Sequence, residues 1–456
     1  MHIKCPDLYF ICFGLFAIAK QKYYNISMDI IELINKKKQG KKISKQEWDF
    51  FVKGVCDGKI KDYQTTSFLM AICLKGIDFD ETAHLTMAMA KSGQMLNLSD
   101  IGRCVDKHST GGVSDTTTLV VVPTLASLGV KVAKMSGRSL GWTGGTADKM
   151  EVFDGYKTDI DTKQFKNLIR QNGASIVSQS KDFALADKII YKLRSDSGTT
   201  DNIGLIASSI MSKKIACGAK IILLDVKYGS GAFMKTLKDA KQLAQTMVQI
   251  GRRVGVKVCA VISSMQQPLT NYIGNNLEVY SALEVLDGKQ NDLFDLSTFL
   301  CAKALVLDGV CKNFEQASQM AKDAIKSGKS KQKLRQIVMA QGGDVSKIDN
   351  PNLLLPKNNM FVVTAQKDGY VAKIDTAKLG YLAHDLQKVD GEVVRQDDTG
   401  IILSKRLGDE VKAGEPLMRV FYNKLDNLDE IKAELLKTYT IGKKVNLPKL
   451  IDKVVE

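Results

Sequence analysis

DKHSTGGVSDTTTLVVVPTLASLG, residues 106–129, is the stretch whose reading decides the fold. Its Thr116–Leu128 portion is apolar on every side and predicts a helix buried in the middle of a domain. Ahead of that helix, Lys107, His108, Ser109, Thr110, Gly111 and Gly112 read as a glycine-bearing loop. A loop feeding a helix N-terminus exposes backbone N–H groups beside the positive end of the helix dipole. With the hydroxyls of Ser109, Thr116 and Thr118 and the amine of Lys107, this makes an oxyanion cradle. It is not a nucleotide P-loop, because no GxxxxGK[ST] is present. The similar SGKS at 327–330 has Asp323 where the first glycine belongs.

A second glycine-rich stretch, KMSGRSLGWTGGTADKMEVF (134–153), places Gly137, Gly141, Gly144 and Gly145 between a strand ending near Met135 and a helix starting near Thr146. Such a loop past a strand's carboxyl end is where α/β sheets hold ligands. Two hydroxyl-rich loops in one domain predict a single phosphate gripped from two sides.

Outward from these loops the chain divides into segments. Residues 28–93 predict a helical bundle, with a capping box at Ser44 and Glu47 and helices closed by glycine. The short β-branched runs VKVAKMS (130–136), GASIVSQ (173–179), GAKIILLDV (218–226) and VKVCAVISS (256–264) alternate with helices. They predict an α/β domain with a largely parallel, buried sheet over 94–188 and 218–355. Residues 189–217, including a helix over 201–217, join the helical domain. A small C-terminal α+β domain (356–456) follows. Its DGYVAKI…GDEVKAGEPL resembles a lipoyl-type barrel, but Lys373 and Ile374 do not form the modification motif, so it reads as structural. Leu8–Ala19 is an apolar run too short for a transmembrane helix, which needs about 20 residues. Residues 1–27 are taken as an extension ahead of a start at Met28.

The 456 residues carry a formal charge of +15, yet lysine and arginine are spread along the chain, so a small anion is as apt a partner as nucleic acid. No aromatic-basic stripe supports nucleic-acid binding. Nine cysteines without a CxxC pair and only four histidines argue for a reducing, cytoplasmic setting and against a zinc site.

The interval from Arg194 to Lys213 supplies a second polar group. In a helix over 201–217, Ser209 and Lys213 stand at i and i+4 on one face. With Arg194 they make two cations and a hydroxyl suited to the carbonyl oxygens and N3 of a pyrimidine.

SGRSLGWTGGTADKME resembles the signature of the thymidine/pyrimidine-nucleoside phosphorylase family, and KHSTGGVSDTTT resembles its phosphate loop. The similarity continues through YKLRSDSGT, SSIMSKK, LLDVKYGSGAFM and MQQPLTNYIGNNLEV. It implies phosphorolysis of uridine, thymidine and deoxyuridine, a glycosyl transfer with inorganic phosphate as co-substrate, no required cofactor, and a homodimer. It implies phosphate contacts from Lys107, Ser109, Thr118, Lys134, Met135, Ser136 and Thr146, and base contacts from Arg194, Ser209 and Lys213. His108 matches a histidine that assists proton delivery to the departing base. Members strict for deoxyribose have methionine where this chain has Lys134. The lysine therefore implies a broad enzyme rather than the thymidine-specific alternative, with the amine reaching the ribose 2′-hydroxyl. A phosphoribosyltransferase of the same fold is the more distant alternative; it would need magnesium and an acidic motif, which the glycine loops lack. Broad members also hold potassium at positions matching Ser114, Thr116, Leu269, Tyr272 and Ser281. Here Ser114 replaces a glycine and Ser281 a glutamate, which removes the only formal negative charge from that ion's shell. Ser139 and Trp142 also depart from the signature's usual glycine and histidine.

Overall fold

The computed structural model describes residues 28–138, 144–178, 183–389, 392–393, 398–425 and 427–456. The expectations for residues 1–27, Ser139 and Trp142 lie outside the described residues.

The first segment folds as helices Ile30–Lys38, Lys45–Cys56, Asp62–Lys75 and Phe79–Lys91. The expected capping box forms: Glu47 N–H donates to Ser44 Oγ at 3.3 Å, and Ser44 N–H donates to the Glu47 carboxylate at 2.6 Å. Trp48, Phe51 and Phe68 fill the bundle core together with Ile190 and Leu205. Those last two come from helices Leu185–Asp196 and Ile203–Ala216, which join the bundle after a long excursion.

That excursion builds the central sheet from β1 (Val105–Ser109), β2 (Val132–Ser136), β3 (Ala174–Ser178), β4 (Ile221–Tyr228) and β5 (Lys257–Ser264). They run parallel in the order β5-β4-β1-β2-β3. Helix Thr117–Ser127 is buried against one face with helices Asp292–Asp308 and Lys329–Ala340. Helices Ile203–Ala216 and Leu237–Arg253 cover the other face. Parallel strands covered on both faces read as continuous apolar runs, and four of the five do.

Two expectations are corrected. Residues 107–109, expected as the start of the 107–112 loop, belong to strand β1, which pairs with β4 along its whole length. With β2 it pairs only at Val105↔Val132, so beyond that point the two strands part. The C-terminal segment is also less separate than expected. Tyr272–Ile273 joins the end-domain sheet beside Gly400–Leu403, while Ile451–Val455 returns to pair antiparallel with β5 at the edge of the central sheet. Both exchanges stitch the end domain to the central sheet. Helices Thr376–Asp385 and Leu428–Leu436 complete that end domain.

Candidate active site

The carboxyl ends of β1, β2 and β4 bring the expected oxyanion cradle together. Alternation along β1 sends Lys107 and Ser109 to the face of helix Thr117–Ser127 and His108 toward the helical bundle. Lys107 is fully buried, and its ammonium donates to the hydroxyl of Thr117 and, at 3.5 Å, to that of Thr118. Burial lowers the Lys107 pKa below that of a free lysine; Asp115 and Asp225 oppose the shift. Gly111 turns the chain at φ +91°, a conformation that favours glycine, and its N–H donates to Ser109 Oγ at 3.3 Å.

A carboxylate the sequence did not single out organises this cradle. Asp115 accepts from the Ser109 hydroxyl, from Thr117 Oγ1 at 2.6 Å and from Thr117 N at 3.2 Å. Burial would raise its pKa, but Lys227, Lys107 and Lys149 hold the carboxyl far below the usual range. Lys149 Nζ donates to the Asp115 carbonyl at 2.7 Å and pairs with Glu278 at 2.7 Å; Lys227 pairs with Asp225 at 2.8 Å, both fully buried. Burying an ion costs several kcal/mol even after relaxation. Such a density of buried cations is hard to explain by stability alone and fits a site that receives an anion.

Ser136 and Thr146 flank the second glycine loop, at the end of β2 and the start of the short helix Thr146–Met150. That helix is capped by Asp148, whose carboxylate accepts from Gly145 N at 3.2 Å. The middle of the loop lies outside the described residues. The Met135 carbonyl accepts from Lys134 Nζ at 3.2 Å and from Lys214 Nζ at 2.8 Å. Lys214 also pairs with the buried Asp106 at 3.0 Å, filling the gap where β1 and β2 part.

His108 stands between two groups of cations. Its Nε2 is buried without a hydrogen-bond partner. Burial, then Lys214, Lys134, Lys107 and Lys213, push its pKa well below the ordinary histidine value, so the imidazole is neutral at pH 7. Lys107 belongs to the cradle and Lys213 to the helix expected to hold a base.

On that helix Ser209 and Lys213 share a face as expected, with Lys213 Nζ 2.8 Å from Ser209 Oγ. Lys213 also pairs with Asp187, and its ammonium lies 5.9 Å from the centre of the Tyr191 ring. The Arg194 guanidinium lies 6.0 Å from the same ring. Arg194 is almost fully buried and donates to the carbonyls of Thr199, Leu205 and Thr200 at 3.0, 3.2 and 2.9 Å. Three of its five N–H groups thus brace the 199–205 turn, leaving two for a ligand. Asp187 and Tyr191 were missed in the sequence; a carboxylate and an aromatic one helical turn apart, just ahead of Arg194, were the available signal.

At the positions matched to potassium ligands, Ser114 adopts φ +61°, a left-handed conformation that costs a residue with a Cβ about 1 kcal/mol. Its hydroxyl is 2.6 Å from that of Thr270. Thr116 Oγ1 is buried and unpartnered. Leu269 and Ser281 are buried, and Tyr272 is half-buried. Among the described residues no three His, Cys, Asp or Glu side chains gather as a metal site, and no helix is long and apolar enough to cross a membrane.

Comparison with known proteins matches each segment in turn. Residues 31–93 match the helical bundle domain of the glycosyl transferase family and residues 101–331 its a/b domain. Residues 370–442 match the pyrimidine nucleoside phosphorylase C-terminal domain. The chain is 45% identical over 434 residues to a pyrimidine-nucleoside phosphorylase of Staphylococcus aureus (strain bovine RF122 / ET3-1), covering 94% of this chain and all of that protein. It is 44% identical over the same length to the enzyme of that name from Staphylococcus haemolyticus (strain JCSC1435). Among solved structures, anthranilate phosphoribosyltransferase from Thermus thermophilus superposes with a TM-score of 0.57 at 16% identity, over 68% of this chain and 99% of that one. That likeness concerns the fold alone.

Proposed function

We propose, from the premise that this chain belongs to the pyrimidine-nucleoside phosphorylase family and is a pentosyltransferase, that it cleaves uridine, thymidine and deoxyuridine reversibly with inorganic phosphate. The observation carrying this reading is His108, next to Lys107 on β1, whose buried Nε2 has no hydrogen-bond partner in the protein.

Hydrogen phosphate enters the cradle of Lys107, Ser109 and Thr118 and takes the Ser109 hydroxyl from Asp115. One phosphate oxygen forms a bond to C1′ as the bond from C1′ to N1 of the base breaks, and that electron pair leaves with the base. Lys213, Ser209 and the two free N–H groups of Arg194 lie where the negative charge on the pyrimidine develops. A phosphate dianion settling among the lysines makes the neutral His108 more basic, the direction required of a group that passes a proton to the departing base. The proton balance closes because hydrogen phosphate loses one proton in becoming an ester dianion. Binding on two elements holds phosphate and sugar in line.

The deciding experiment incubates the protein with uridine or thymidine, with and without phosphate. Base release that requires phosphate is the expected result; no release in either condition sinks the reading, and release without phosphate makes the protein a hydrolase. Breadth for the sugar rests on Lys134, whose amine sits beside the cradle on β2. Lys134→Met is expected to lower kcat/KM for uridine about tenfold more than for thymidine, the size of a charge-assisted hydrogen bond to one hydroxyl. Equal losses for the two nucleosides would remove the 2′-hydroxyl contact.

A further inference from the structure

The oxygen set matched to a potassium ion does not fit one in this chain. Leu269 and Tyr272 would offer carbonyls and Thr116 a hydroxyl, all neutral donors. Ser281 brings no charge. The nearby Glu278 is engaged by Lys149 at 2.7 Å. The Lys149 ammonium also donates to the carbonyl of Asp115, the residue between Ser114 and Thr116. The charges at this loop are thus already matched, Lys149 by Glu278 and the Asp115 carboxylate by Ser109 and Thr117, so no carboxylate is left to hold a second cation. The unpartnered Thr116 hydroxyl and the carbonyls of Leu269 and Tyr272 are neutral oxygens, too few to replace a cation's water shell.

The other side chains satisfy one another instead. Ser114 Oγ and Thr270 Oγ1 are 2.6 Å apart, Thr270 Oγ1 lies 3.4 Å from Ser281 Oγ, and Ser281 Oγ donates to the Glu278 carbonyl at 2.9 Å. Tyr272 N–H donates to Thr270 Oγ1 at 3.2 Å. One assignment of protons satisfies the whole series: Ser114 donates to Thr270, Thr270 to Ser281, and Ser281 to the carbonyl in helix Asn275–Leu286. Both lone pairs of Thr270 are then used. The two residues that depart from the relatives, Ser114 and Ser281, are the two ends of this series.

We propose that this hydroxyl relay, rather than an alkali cation, ties the phosphate loop to helix Asn275–Leu286, so that the enzyme works without selectivity for monovalent cations. The proposal rests on the reading of residues 109–118 as the phosphate loop.

The test compares the full chain in potassium, sodium and tetramethylammonium chloride at equal ionic strength, by thermal unfolding and by phosphate-dependent base release. The Tm and the kcat/KM for phosphate are expected to agree across the three salts, the latter within about twofold. A Tm several degrees higher in potassium, or a kcat/KM about tenfold above that in tetramethylammonium, overturns the proposal. Ser281→Ala, which cuts the relay at its helix end, is expected to raise the KM for phosphate several-fold with kcat nearly unchanged; an unchanged KM overturns the tether. The double variant Ser114→Gly/Ser281→Glu is expected to gain a potassium-specific rise in Tm. If it folds and gains none, the missing carboxylate is not what bars the ion and the proposal falls. The Tm comparison needs no turnover, so a failure of the phosphorylase reading itself would show separately, as the absence of phosphate-dependent release.

Discussion

Lys107→Ala is expected to lower kcat/KM for phosphate by about 10²–10³-fold, the usual loss when one donor to a reacting anion is removed. The expectation follows from the partners of this side chain. Its ammonium is fully buried, yet its hydrogen bonds go to the hydroxyls of Thr117 and Thr118 rather than to a carboxylate. Its charge is balanced through space by Asp115 and Asp225, which leaves the ammonium free to take an entering anion as a direct partner. The Tm of this variant should fall, because truncation leaves a cavity and takes a buried cation from Asp115 and Asp225. Lys107→Met, which keeps the side chain's length and packing, should show the same loss of turnover. A loss of less than about tenfold in both variants would take Lys107 out of the anion grip.

The second large effect belongs to the other end of the site. Lys213→Ala is expected to lower kcat/KM for the nucleoside by about 10²–10³-fold, with KM for phosphate little changed, because in the proposed reaction this ammonium meets the charge developing on the base. Truncation also strands the nearly buried carboxylate of Asp187, so stability enters as a confounding effect. Pairing the change with Asp187→Asn removes the stranded charge. If Asp187 acts only by aiming Lys213, the double variant is no less active than Lys213→Ala alone, as expected for groups that work as a unit. Additive losses would assign Asp187 a contact of its own.

The bundle helices, the helix over 203–216, β3 to β5 and the buried helix after the cradle were legible because each is periodic or largely apolar, and β2 was legible despite Lys134. β1 was not, and its failure is informative. VDKHS holds Asp106, Lys107 and His108 in the middle of a buried sheet, where sequence reasoning expects valine and isoleucine. Those charges are tolerated because Lys214 meets Asp106, hydroxyls meet Lys107, and the strand ends at the site. The strand looked like a loop because it carries the chemistry. Ile451–Val455 was hidden for a different reason: an edge strand is partly solvated, and IDKVV has no apolar run to announce it. Ser209 and Lys213 came out of helical spacing taken together with the family resemblance. Asp115, Asp187 and Tyr191 did not, since their roles depend on which lysines the fold brings to them. Arg194 was legible as a cation ahead of the helix over 203–216, but neither its burial nor its service to the 199–205 turn was.

Lys213 and Lys214 are consecutive, and successive residues of a helix point about 100° apart. One anchors toward Asp187 in the bundle and the other toward Asp106 and the Met135 carbonyl in the sheet. A single peptide unit thus acts as a gauge between the place where a base would rest and the sheet that carries the cradle. A swing of the bundle as a rigid lever must either turn about Lys214 or break its 3.0 Å ion pair with Asp106. With the fulcrum this close to Lys213, a wide arc at the bundle's far end moves the base-holding ammonium only a little. Any such swing would thereby be geared down to a small displacement at Lys213.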